Sequence, residues 1–255
     1  MVQSGKLPAT ETNNNTMQNY CKTIGALVAA SALVAGTASA EIEYEIHTGY
    51  TSSYIFRGLD LGDNLTEFGL DMAYEYNDVA LSSGVWAGLF NNSPASNQQI
   101  DLEVDLYTEA AYDFGYVTGA IGYIYYWNVG ALGADAGEVY FSVGKEIYGL
   151  DVAFTYYWDV HGAGIENDGY SDLYVGYGYE LSPCLTWTNS VTFGYLWEQT
   201  GFSNVQFKTG LDWAATETAT ISPFLAYSVG CGPHGNAWAN VDDEFFAGSM
   251  LSVSF

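Results

Sequence analysis

From residue 185 to residue 198, apolar and polar side chains alternate. Leu185, Trp187, Val191, Phe193, Tyr195 and Trp197 fall on one face, and Thr186, Thr188, Ser190, Thr192, Gly194 and Glu198 on the other. Successive side chains of a strand point to opposite faces, so a period of 2 specifies a strand with one apolar and one polar side. Residues 42–57 repeat the pattern: Ile42, Tyr44, Ile46, Tyr50, Tyr54 and Phe56 alternate with Glu43, Glu45, His47, Thr51, Ser53 and Arg57. Residues 101–112 do so again, with Leu102, Val104, Leu106, Ala110 and Tyr112 set against Asp101, Glu103, Asp105, Tyr107, Glu109 and Ala111. Carried along the chain, the pattern predicts twelve strands, near 41–57, 66–77, 79–91, 99–113, 116–127, 137–147, 150–159, 169–181, 185–198, 204–214, 219–228 and 244–255.

The connections alternate in length. Short ones follow the even strands, at Asn77-Asp78, Phe114-Gly115, Tyr148-Gly149, Ser182-Pro183-Cys184 and Ala215 to Thr218. Longer ones follow odd strands, at Asn92 to Asn97, Asn128 to Gly137, His161 to Asp168 and Gly230 to Asp243. An even strand number with short turns at one end and long loops at the other is the pattern of an outer-membrane barrel. Strands of this length cross a bilayer when tilted, and closure follows because lipid cannot satisfy an open sheet edge. The expected fold class is therefore all-β: a transmembrane, antiparallel, up-and-down barrel in a bacterial outer membrane. A secreted β-sandwich or propeller shares the alternation. It does not account for Tyr112, Tyr116, Tyr126 and Trp127 at strand ends, which fit interfacial aromatic girdles against outer-membrane lipid. The ending Met250-Leu251-Ser252-Val253-Ser254-Phe255 resembles the C-terminal signal of bacterial outer-membrane barrels. That resemblance implies the barrel assembly machinery as a partner through Phe255.

The first 40 residues read differently. Lys22 precedes an uncharged run from Ile24 to Gly36, which is followed by Ala38-Ser39-Ala40. A basic segment, an apolar stretch and small residues before a cut are the parts of a secretory signal peptide. The run is too short to be a helical span. The expected organisation is a signal peptide with a polar extension over 1–40 and one barrel over 41–255. Beyond residue 40 the chain keeps Cys184 and Cys231. The strand order puts them at opposite ends of the barrel, out of disulfide reach.

Charge is scarce and one-sided. Only 14% of residues are charged, yet 30 are Asp or Glu against 5 Lys or Arg, while 49% are hydrophobic and 16% aromatic. So apolar and aromatic a chain is not an acidic disordered segment. Five cations cannot supply the phosphate contacts of nucleic-acid binding. The acids sort onto the polar strand faces, which point inward if the apolar faces meet lipid. The expected pore-lining set is Glu43, Glu45, Arg57, Glu67, Asp71, Glu75, Asp101, Glu103, Asp105, Glu109, Asp172 and Lys208. Ser82, Gly84, Trp86 and Gly88 lie between two acidic strands and leave room beside the carboxylates. Beyond residue 40 the cations are Arg57, Lys145 and Lys208. They cannot neutralise so many acids, and an unpaired buried charge is very costly, so the expected lumen is wet and favours cations. Twelve strands lie between the filled eight-stranded barrel and the open sixteen-stranded channel, which predicts a narrow pore for small cationic or neutral solutes.

Arg57 is placed inward at the top of the first strand, where Glu67 and Glu244 are the expected ion-pair partners at the seam. The stretch Gly49 to Gly62 reads GYTSSYIFRGLDLG, and its core, Tyr54-Ile55-Phe56-Arg57-Gly58, resembles the TorF-type porin family. The resemblance implies an outer-membrane porin and brings no substrate with it.

Catalytic and metal chemistry find little support. The three histidines are His47, His161 and His234, and none sits at a recognisable spacing from a Ser or an acid. Neither a catalytic residue nor a cofactor is expected. Cys231-Gly-Pro-His234 offers too few metal ligands. Asp242-Asp243-Glu244 reads as a solvated loop, so no metal is expected. The resulting expectation is a passive, cation-favouring porin and not an enzyme. A closed structural or adhesive barrel is the main alternative, and a barrel lipid hydrolase is less favoured.

Overall fold

The structure is a computed structural model that describes residues 42–94, 96, 98–130, 134–162, 169–198, 200–231 and 243–255. Twelve strands follow one another: β1 (Glu43–Phe56), β2 (Leu59–Tyr76), β3 (Val79–Asn91), β4 (Asp101–Asp113), β5 (Thr118–Val129), β6 (Ala136–Ile147), β7 (Leu150–His161), β8 (Tyr170–Ser182), β9 (Leu185–Leu196), β10 (Gly201–Ala214), β11 (Ala219–Gly230) and β12 (Glu244–Ser254). Each pairs antiparallel with its sequence neighbours, and β1 pairs with β12 to close the barrel. The seam runs from Glu45 opposite Ser254 to Thr51 opposite Gly248, and the Phe255 amide donates to the Tyr44 carbonyl at 2.9 Å. The segment 1–40 and the residues His234 and Asp242 lie outside the described residues.

Turn chemistry explains the tight connections. Asn77-Asp78 (φ 48° and 65°) and Tyr148-Gly149 (φ 54° and 80°) each place two left-handed residues between strands. That is the type I′ geometry whose twist matches a hairpin. Arg57-Gly58 (φ 53° and 86°) does the same between β1 and β2. This corrects the expected strand boundary: β2 begins at Leu59 rather than 66 and is 18 residues long. Gly58, Gly62, Asp63 and Asn64 are turn formers, so the stretch reads as a loop in sequence. Cys184, in the β8–β9 turn, and Cys231, just after β11, are both exposed and unbonded.

The outer wall is apolar. Leu106, Ile121, Trp127, Phe141, Trp158, Trp187, Phe207 and Leu225 are among the large side chains left exposed along the strands. A belt of this extent is the lipid-facing surface of an outer-membrane barrel. No helix among the described residues is long and apolar enough to cross a membrane; the crossing is made by strands.

The β1–β2 hairpin departs from this wall. β1 leaves β12 after Thr51, and β2 meets β3 only from Asp63 onward. The tip between these points has no ladder partner in β12 or β3 and turns into the barrel, where Gly58 lies against Asn204 of β10. Tyr54 packs on Trp86 and Phe90 of β3, with ring centroids 5.7 and 5.1 Å away, and Phe56 packs edge-on against Tyr126 of β5 at 5.9 Å. Tyr54 and Phe56, expected on the lipid face, are therefore interior residues. Tyr126 is likewise 9% exposed and not in a girdle, while its neighbour Trp127 faces outward at 49%. The physical reason is that strand parity holds only where a wall exists; beyond the rim both faces of the hairpin are free to pack inward.

Phe141 stands at the middle of β6 on the lipid face, 46% exposed. Phe141→Arg is expected to lower stability by about 2–4 kcal/mol, the cost of a cation near the midplane. Urea unfolding in phosphatidylcholine vesicles measures it, and Phe141→Leu is expected to cost far less.

Candidate functional site

The hairpin apex carries Arg57 across the lumen to the opposite wall. Its two terminal nitrogens donate to the two carboxylate oxygens of Glu138 on β6, at 2.6 and 2.7 Å. The guanidinium carbon lies 4.7, 4.2 and 4.5 Å from the ring centroids of Phe56, Tyr157 and Tyr170. A planar guanidinium suits this place because it forks onto a carboxylate while stacking on rings. Tyr126 also donates to Glu138, at 2.9 Å, and Asp159 of β7 stands opposite Glu138 in the ladder. Arg57 thus does not meet Glu67 or Glu244 at the seam, as the sequence suggests. Glu67 accepts instead from the Trp86 indole at 2.7 Å. Glu138 was absent from the expected set, although it alternates with Val139 and Phe141 on a readable inward position.

The expected acids fall into separate groups. Asp101, Glu103 and Asp105 share one face of β4, and all three are buried. Glu103 accepts from the Tyr54 hydroxyl at 3.0 Å, so the hairpin covers this column. Lower on the wall, Glu45 and His47 of β1 meet Asp71 of β2, and Tyr107 donates to Asp71. The His47 Nδ1–Asp71 Oδ2 distance is 3.1 Å, an acid–histidine pair that sequence spacing does not show because the two lie 24 positions apart and meet only through the β1–β2 register. Glu109 accepts from Tyr140 at 2.8 Å. Asp172 is buried on β8, two residues from Tyr170. Glu43 and Glu75 are exposed near the short-turn end. Lys208 of β10 has its ammonium 4.1 Å from the Phe224 ring centroid and is within electrostatic reach of Glu67 and Asp212.

Charge balance in this interior is uneven. Among the described residues, the buried side-chain polar atoms without a hydrogen-bond partner all belong to Asp101, Asp105 and Asp172. Buried carboxylates of this kind call for water or a cation. The crossing hairpin narrows the space beside them.

Removing one partner of the Arg57–Glu138 pair leaves a buried charge. Arg57→Ala is expected to cost about 3–5 kcal/mol, and the apolar double variant Arg57→Met/Glu138→Leu much less than either single change. Urea midpoints in vesicles give both numbers. Searched against family models and curated sequences, the chain matches none. Among solved structures it is similar to the COG4313 outer membrane channel from Pseudomonas putida F1, at TM-score 0.54 and 10% identity over 86% of this chain and 97% of that one. It is also similar, at TM-score 0.49, to the KdgM porin (10% identity; 84% of this chain, 99% of that one). Outer membrane phospholipase A from Escherichia coli matches at TM-score 0.47 (15% identity; 84% and 92%). At these identities the likeness is one of fold: a twelve-stranded barrel of the outer-membrane kind.

Proposed function

We propose that this barrel is a narrow outer-membrane porin that passes small cations, or small neutral solutes, passively. The observation that carries the reading is the surplus of inward carboxylates. Asp101, Asp105 and Asp172 are buried with unpartnered oxygens, while Arg57 is committed to Glu138 and Lys208 faces Glu67 and Asp212. Acidic linings favour cations and repel anions. The pore-lining set is then Glu45, Glu67, Asp71, Asp101, Glu103, Asp105, Glu109 and Asp172 along the path, with Glu43 and Glu75 at its short-turn mouth, Arg57 at the constriction and Lys208 on the facing wall. The resemblance of Tyr54 to Gly58 to TorF-type porins supports the same class, and the structure gives the motif a physical role as the inward hairpin tip. Phe255, 71% exposed at the seam, is the proposed contact for the assembly machinery.

A second reading has its own observation. The hairpin spans the lumen from β1 to β6 and packs on rings of β5, β7 and β8, as a closed structural barrel would require. Planar-bilayer recording separates the two. The porin reading expects a small conductance whose reversal potential in a KCl gradient has the sign of cation preference. Asp105→Asn with Glu103→Gln is expected to weaken that preference, and Arg57→Ala with Glu138→Gln to raise conductance by freeing the hairpin. Anion preference would overturn the acidic-lumen argument. Silence from both wild type and the freed variant would favour the closed barrel.

A further inference from the structure

The base of the β1–β2 hairpin holds a donor set unlike the rest of the interior. Glu45 and His47 are two residues apart on β1, so they share a face, and Asp71 lies directly opposite Glu45 on β2. One ligand atom from each of the three lies within 4.8 Å of the other two. All three side chains are half-buried, neither sealed from the lumen nor free in solvent. Each carboxylate is steadied by a hydroxyl on one oxygen, while the second oxygen of Asp71 already faces His47 Nδ1 at 3.1 Å. Ser254 donates to Glu45 Oε2 at 3.0 Å, and Tyr107 donates to Asp71 Oδ1. Outer partners of this kind orient metal ligands.

The space around the set is kept by missing side chains. A Cβ at Gly84 would lie 2.5 Å from Asp71 Oδ1 and from the Tyr107 hydroxyl, and one at Gly69 would run into the His47 ring. At Gly49 it would approach Glu67 Oε1 to 2.9 Å. Glycine at these positions lets the carboxylates and the imidazole converge. The surroundings also hold a further carboxylate: Glu67, four residues before Asp71 on the same face of β2, acts electrostatically on His47.

An imidazole with two carboxylates is a mixed nitrogen–oxygen set. Calcium takes six to eight oxygens, whereas imidazole suits zinc and its neighbours among the transition metals. Three protein ligands leave at least one position for water. We propose that Glu45, His47 and Asp71 bind one divalent transition-metal ion of the zinc and cobalt class inside the barrel. The ion would bridge β1 and β2 beneath the hairpin and replace the His47–Asp71 contact by metal ligation.

Refolded full-length barrel in detergent, titrated with Co²⁺ and followed by its visible absorption, tests this without any need for conduction. The expected result is one Co²⁺ per chain, displaced by Zn²⁺ and not by a comparable concentration of Ca²⁺. His47→Gln, Glu45→Gln and Asp71→Asn are each expected to weaken binding by about tenfold or more. Glu217→Gln, in the β10–β11 turn, is expected to leave it unchanged. Strand circular dichroism and heat-modifiable gel mobility establish that each variant is folded. Stoichiometric binding that survives His47→Gln in a folded barrel would overturn the site, as would Ca²⁺ competing on equal terms or no Co²⁺ binding to wild type.

Discussion

In hydrocarbon a backbone amide or carbonyl has no partner outside its own chain, and everything else in this molecule follows from that constraint. A sheet can meet it only by closing, which here means β1 pairing with β12 and the terminal Phe255 bonding back to Tyr44. Closure in turn divides every strand into a lipid side and a lumen side. Carboxylates cost several kcal/mol near the midplane of the lipid side, so they are driven inward, where the next problem arises. The lumen must hold many acids with very few cations.

The interior solves this with neutral donors. Tyr54 holds Glu103, Tyr107 holds Asp71, Tyr126 holds Glu138, Tyr140 holds Glu109, and the Trp86 indole holds Glu67. A hydroxyl or indole N–H bonded to an ionised carboxylate makes a short, charge-assisted contact without cancelling the charge. Tyr54, Tyr107, Tyr126 and Tyr140 thus do more than fill volume or mark the membrane interface: they position the acids without adding a positive charge. Arginine or lysine in the same places would have built the same contacts and neutralised the lumen.

Strand periodicity was readable because lipid outside and polar groups inside enforce it at every residue of the wall. The twelve strands, their order and the inward column Asp101, Glu103 and Asp105 follow from that pattern alone. The β1–β2 tip does not, because Ser52 to Gly62 lie beyond the wall pairing and no longer obey parity. Hence Tyr54 and Phe56 read as lipid-facing although they pack inside. The inward position of Glu138 is readable, but its pairing with Arg57 is not. Glu138 is 81 residues from Arg57, and the two meet because the hairpin bends across the lumen, a tertiary fact with no register in sequence. His47 and Asp71 lie between these cases: each falls on an inward position, but pairing them needs the β1–β2 register, which the I′ turn at Arg57-Gly58 sets only together with a one-residue bulge between Tyr54 and Ile55 that the sequence does not announce.

The hairpin apex brings a positive group into an acidic interior, and the geometry there neutralises it. Glu138 meets Arg57 through both of its oxygens, so the pair carries no net charge, and its neighbours decide the local sign. Asp159 faces Glu138 across the β6–β7 ladder, and Asp172 follows Tyr170, whose ring stacks on the guanidinium. Both are acids. Arg57 therefore acts as a tie that fixes the hairpin, and Asp159 joins it through a hydrogen bond to Glu138. A barrel that needed only closure could have used an apolar contact at that place, which costs less desolvation than an ion pair. A forked ion pair held between three rings fixes the reach and orientation of the hairpin, which an apolar contact leaves free to slide.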